Sequence, residues 1–176
     1  MQIRLLKQED LPAAEKIYAD ARSFMKRIGN PDQWKDHWPP MDRIRQDIRD
    51  GIGYAVEENG EVLAVFACWY GDHAEPSYRT IYDGAWLEDS PYAVIHRIAA
   101  KEGSHAGSFA IQRTVEQYRH VRIDTHEQNK AMRHRLMTLG FTECGRILLE
   151  NGEERIAYER VDGSKPDHSC GRPSMY

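Results

Sequence analysis

Cysteine is scarce in this chain: Cys68, Cys144 and Cys170 are the three found among 176 residues. They are too few and too scattered for a disulfide framework or a closed zinc site. Long apolar runs are missing too, and no stretch approaches the roughly 18–20 residues needed to cross a bilayer. The opening MQIRLLKQEDLPAAE meets acidic residues by position 9 and builds no apolar signal core. A cytoplasmic location without a membrane partner is therefore expected. Nor is positive charge in excess: Lys+Arg 24 against Asp+Glu 28 gives −4. A general nucleic-acid binder needs the opposite balance to neutralise phosphates, so no nucleic-acid partner is expected. The glycine-lysine phosphate loop of the NTPases is absent, and so is the three-glycine dinucleotide fingerprint with its acidic partner about 20 residues on. The eight histidines fall at no spacing that builds a metal site. No metal is expected.

What is present is enough to fold. A hydrophobic fraction of 40% supplies one core and excludes wholesale disorder. Residues 2–6 make a short β-like run. Asp10 is placed to cap a helix with Pro12 in its first turn, and Ala14, Ile17, Tyr18, Ala21, Phe24, Met25 and Ile28 recur at helical steps. Asp42 is placed to cap a second, short helix ending by Gly51. Residues 54–56 and 62–69 flank Asn59-Gly60, a tight-hairpin pair, and residues 141–150 and 153–161 flank Asn151-Gly152 in the same way. Between them lie a strand at 92–100, a helix, a strand at 120–125 and a helix at 129–139. The polar stretch 71–91 fits no element. The order is β-α-α-β-β-β-α-β-α-β-β, which predicts one α/β domain over 1–161: a central mixed, mostly antiparallel sheet flanked by helices. The polar Gly/Pro/Ser-rich residues 162–176 read as a mobile tail.

The turn after the strand at 92–100 is built of small residues: Gly103, Ser104, Ala106, Gly107 and Ser108, with His105 among them. Small residues let backbone N–H groups approach a ligand, and the following helix offers its N-terminal N–H groups to an anion. By composition alone an ordinary strand-to-helix connection fits equally well.

The run from Tyr92 to Phe141 resembles the core of the GCN5-related N-acetyltransferases. Their signature has a strand, then glutamine or arginine, two residues, glycine, one residue, and glycine or alanine; here it reads EGSHAG over residues 102–107. A later helix opens on asparagine and closes on Gly-Phe, which here reads NKAMRHRLMTLGF from Asn129 to Phe141. Glu102 and His105 depart from the first pattern, while Asn129, Met132, Gly140 and Phe141 fit the second. The resemblance implies the acyl-CoA N-acyltransferase fold with splayed central strands, and acetyl-CoA as co-substrate. It also implies a small-molecule or peptide amine as acceptor and, since members are often dimers, a homodimer, although no stretch singles out an interface.

The residue roles follow from that likeness. The pyrophosphate would rest on N–H groups of Ser104 to Ser108, including His105, Ala106 and Gly107, with Gly103 shaping the turn. The pantetheine arm would lie along Ile98, Ala99 and Ala100, and Asn129 would reach it from the next helix. Arg133, His134 and Arg135 either take the 3′-phosphate or form a solvated face. A backbone N–H near Ile98 or Ala99 would serve the oxyanion, so no side chain is needed for it. The usual tyrosine proton donor falls at Leu136, which cannot donate. For deprotonating the amine, His96 is the first candidate, against a satisfied sheet histidine; Tyr82, Asp83 and Glu88 border the expected acceptor pocket. His126 either faces the cleft or caps the helix. Trp34 and Trp86 would wall the acceptor site, or else plug the core beneath it. A CoA-binding module without turnover is the alternative to an enzyme.

Overall fold

The structure, a computed structural model, describes residues 1–164. The expected tail at 162–176 therefore lies, from residue 165 on, outside the described residues. Seven strands form one sheet: β1 (Gln2–Leu5), β2 (Gly53–Glu58), β3 (Glu61–Gly71), β4 (Tyr92–Ala100), β5 (His120–Thr125), β6 (Thr142–Leu148) and β7 (Glu154–Val161). Their order is β1-β2-β3-β4-β5-β7-β6. The β1–β2, β2–β3, β5–β7 and β6–β7 pairs are antiparallel. β4 and β5 run parallel, with Ala93 opposite Val121 and Val94 opposite Arg122. The helices are α1 (Leu11–Arg27), α2 (Met41–Arg49), α3 (Ala106–Gln117) and α4 (Lys130–Thr138). The mixed, mostly antiparallel sheet with flanking helices is thus the architecture that the periodicities predict. Among the described residues no helix is long and apolar enough to span a membrane.

Both hairpins form, by different turns. Asn59 (φ +52°) and Gly60 (φ +80°) are both left-handed, as a primed two-residue turn requires. At the second, the Leu149 N–H donates to Glu153 C=O and the Gly152 N–H to Leu149 C=O, so three residues rather than two make the loop. Two expected helix caps are corrected. Asp10 makes no cap bond to α1; its carboxylate takes both guanidinium arms of Arg4 (2.7 and 2.9 Å) and the Lys7 N–H, closing a 3-10 turn before the helix. An arginine six residues earlier offers a charged partner that outbids a neutral N–H. Asp42 lies inside α2, whose N-cap is Pro40.

The chain packs in two compact units. The first holds Met1–Cys68 and Ile95–Arg113, and its core gathers Leu6, Ile17, Tyr18, Trp34, Ile44 and Ala99. The second holds Trp69–Val94 and the described residues from Thr114 on, with Tyr78, Tyr92, Val94, Ile147 and Ala157 at its centre.

The unassigned stretch 71–91 is a strap in the second unit. After a 3-10 turn at Pro76–Arg79 it runs along β6, where the Tyr82 N–H donates to Arg146 C=O, the Arg146 N–H returns the bond, and the Ala85 N–H donates to Cys144 C=O. Gly84 allows this approach, since a Cβ there would stand 1.9 Å from the Cys144 carbonyl oxygen. A sheet edge that would otherwise be open to other chains is covered.

Candidate active site

In the first unit, β4 carries an unusual backbone. Arg97 has φ +53° in the middle of a strand, the left-handed conformation seen at glycine-type bulges. For a residue with a Cβ this costs about 1–2 kcal/mol, so the surroundings must impose it. The Arg97 guanidinium is buried and donates twice to Asp47 of α2, both at 2.9 Å. Arg43 reaches the same carboxylate at 3.3 Å. The Tyr18 hydroxyl of α1 donates to the Arg97 carbonyl at 2.8 Å. Tyr18 is wholly buried, and burial raises its pKa well above the ordinary tyrosine range, so it stays a donor. Sequence reasoning passed over this group. The signal was there: an arginine inside the apolar run YAVIHRIAA needs a buried partner.

Beyond this kink Ile98 and Ala100 are half-buried and Ala99 is buried. The turn that follows is left-handed twice, at Gly103 (φ +77°) and His105 (φ +59°). The second position is the one that the signature fills with glycine, and here the imidazole is carried in the same conformation, exposed. The Ser104 hydroxyl donates to Lys101 C=O at 2.6 Å and accepts from the Ala106 N–H at 3.3 Å. One first-turn donor of α3 is thereby used inside the turn. The helical ladder begins with the Phe109 N–H on His105 C=O, so the first-turn N–H groups at 106–108 precede it. A Cβ on Gly107 would touch only the Ala100 methyl, at 3.4 Å, so small residues on both sides bring α3 close to β4. The charged flanks are engaged: Lys101 with Glu61 and Glu102 with Arg27. A left-handed turn of small residues ahead of a twelve-residue helix fits an anionic phosphate group, held mainly by main chain. His96, half-buried on β4, precedes the kink. Trp34 is buried, edge-on to Tyr18 with centroids 5.7 Å apart, which is a core position.

Tyr82, Trp86, Glu88, Asn129 and Arg133 belong to the second unit. Asn129 is the N-cap of α4, its side-chain oxygen accepting from the Met132 N–H at 3.2 Å. At the far end Gly140 (φ +80°) closes the helix, the Phe141 N–H bonding Leu136 C=O and the Gly140 N–H bonding Met137 C=O. Arg133 donates to the Tyr158 hydroxyl (3.2 Å), to Glu127 C=O and to Glu143 (3.4 Å). The His126 ring nitrogen accepts from the Gln128 N–H at 3.2 Å, a local turn ahead of α4. Tyr82 is exposed and is bound to β6 by its backbone.

Trp86 donates to Tyr78 C=O at 2.8 Å, and Arg122 lies 4.1 Å from its ring and 4.1 Å from that of Tyr92. Glu88 is gripped by both arms of Arg119, at 2.5 and 2.7 Å. Arg119, with help from the Ser90 hydroxyl, pulls its pKa down to about 2. So strongly ionised a carboxylate is a feeble base at neutral pH. Nearby, His120 bridges Ser90 (2.8 Å) and Glu159, which also takes Arg122 at 3.0 Å and the Leu87 N–H. Burial pushes Glu159 up, but His120, Leu87 and Arg122 together hold it below the usual carboxylate range.

An acetyltransferase of the GNAT family from Streptococcus agalactiae is 30% identical to this chain over 92% of it and 95% of that protein, with a TM-score of 0.79. The chain belongs to the GNAT family of acetyltransferases. Two more distant structures share the GNAT fold with it. One is a ribosomal-protein-alanine N-acetyltransferase from Brucella melitensis: 18% identity, coverage of 92% and 99%, TM-score 0.61. The other is yncA of Salmonella typhimurium with its cofactor acetyl-CoA: 17% identity, coverage of 96% and 98%, TM-score 0.59. No family model matches this GNAT chain, and no curated protein does.

Proposed function

We propose that this GNAT chain is an N-acetyltransferase that moves the acetyl group of acetyl-CoA onto an amine of a small molecule or an exposed protein amine, by a domain spanning residues 1–161. The observation that carries this reading is the join of kinked strand, doubly left-handed turn and helix N-terminus from Arg97 to Ser108, in a chain 30% identical to a GNAT acetyltransferase. When bound, acetyl-CoA would supply a thioester carbonyl for the amine nitrogen to attack, the C–S bond breaking as the C–N bond forms and the sulfur leaving as a thiolate that takes a proton from water. The main chain of Gly103–Ser108 holds the pyrophosphate, and the edge at Ile98, Ala99 and Ala100 lies along the pantetheine arm. His96 takes the proton that the amine must lose, since Glu88 is too weak a base to do so.

Calorimetric titration with acetyl-CoA, followed by thiol release across a panel of amines, tests this. Saturable binding and amine-dependent thiol are expected. His96→Ala should lower turnover by about 10² while leaving acetyl-CoA affinity within a factor of about 3. An unchanged rate removes His96 as the base. Leu136, fully buried where the resemblance implies a tyrosine donor, favours a second reading: a CoA-binding module without turnover. Tight CoA binding with no amine-dependent thiol would support it.

A further inference from the structure

We infer that Asp47, Arg97 and Tyr18 form a clamp that sets the direction of the peptide N–H groups following Arg97, and so polarises the thioester carbonyl; this rests on the acetyl-CoA reading above. Arg97 is left-handed although it carries a Cβ, so contacts around it must impose that conformation. Three contacts do. Asp47 fixes the side chain by two parallel bonds of 2.9 Å, at side-chain exposures of 3% for Asp47 and 6% for Arg97. Tyr18 fixes the carbonyl of the same residue at 2.8 Å. With side chain and carbonyl both held, the peptide plane between Arg97 and Ile98 is restrained from two sides.

The fold then anchors Asp47 in turn. Its own carbonyl accepts from the Ile52 N–H at 3.0 Å, and Gly53 packs so closely on it that an added Cβ would stand 3.4 Å from the Asp47 backbone and Cβ. Arg43, exposed, supplies a second cation at 3.3 Å from the same carboxylate. A purely structural ion pair needs none of this registry with a backbone kink. Catalytic donors, by contrast, must hold their aim to a fraction of an ångström before the substrate arrives. Asp47 and Tyr18 act through the Arg97 backbone and are positioning residues.

The test uses the full chain with acetyl-CoA labelled in its carbonyl carbon. Infrared difference spectra report how far the bound carbonyl is polarised, and calorimetry gives affinity. Tyr18→Phe removes one hydroxyl; Arg97→Lys keeps the charge but loses the fork. Both should bind acetyl-CoA within about threefold of the unmodified chain, while the carbonyl band moves back towards its position in water and thiol release falls about tenfold. An unmoved band in variants that bind normally overturns the clamp and leaves the cofactor reading intact. No binding by the unmodified chain overturns the cofactor reading first, and the clamp with it. If both variants lose their folded structure, the group is a stability element and the positioning role fails.

Discussion

His105 holds φ +59° at the point where the family's signature places glycine. In that conformation a Cβ crowds the following carbonyl oxygen, at a cost of about 1–2 kcal/mol. Glycine relieves the clash but brings a larger entropy loss on folding. His105→Gly should therefore stabilise the protein by roughly 0.5–1 kcal/mol, raising Tm by about 1–4 °C in a thermal melt. A fall in Tm would mean that the exposed imidazole makes a contact worth more than the strain. The comparison also shows what a sequence hides at this scale. The departure from glycine at position 105 is visible, but whether the backbone keeps the glycine conformation is not. Arg97 makes the same point: its charge amid apolar neighbours is legible, whereas its partner Asp47, fifty residues away, depends on how α2 meets β4.

The elements themselves were largely legible. Helical spacing placed α1 and α4, and Asn-Gly pairs placed both hairpins, because those signals are local. Caps read from residue type alone failed at Asp10 and Asp42, where a tertiary arginine and a proline changed the local competition. The stretch 71–91 fitted no period because it takes its structure from β6, with the paired close approach of Gly84 to Cys144 in place of a repeat of its own. On α4 the structure gives the second half of the signature a structural meaning: Asn129 starts the helix and Gly140 stops it. If capping is the main duty of Asn129, Asn129→Ala should cost about 1 kcal/mol and Asn129→Ser nearly nothing in urea unfolding. A serine variant that is stable yet has lost acetyl-CoA affinity would instead assign the amide a direct part in binding.

Across the described residues several acidic groups sit in buried or half-buried pairs with arginine or histidine. Arg4 holds Asp10 and Glu57, Arg97 holds Asp47, Arg119 holds Glu88, and Arg122 with His120 holds Glu159. The arginine and histidine partners keep Asp10, Glu57, Glu88 and Glu159 below their ordinary pKa. A carboxylate whose pKa is lower folded than unfolded stabilises the fold above its unfolded value, and that contribution disappears as pH falls through the folded one. For Glu88 the window runs from 4.5 down to about 2. Cys68 and Cys144 set the other limb. Burial raises both to about 12 from an ordinary 9, helped at Cys144 by Glu159, so their stabilising neutral form is lost as pH climbs through that range. Stability should therefore be broad around neutrality and fall at both ends, measured as urea midpoints against pH. Glu88→Gln isolates one acid-limb group. It should be less stable than the unmodified chain at pH 7, and the gap should close as pH drops through the window, because protonation then removes the charge that the variant already lacks. A gap that persists unchanged at the acid end would mean that the Arg119 grip acts through its shape and hydrogen bonds, with the charge contributing nothing.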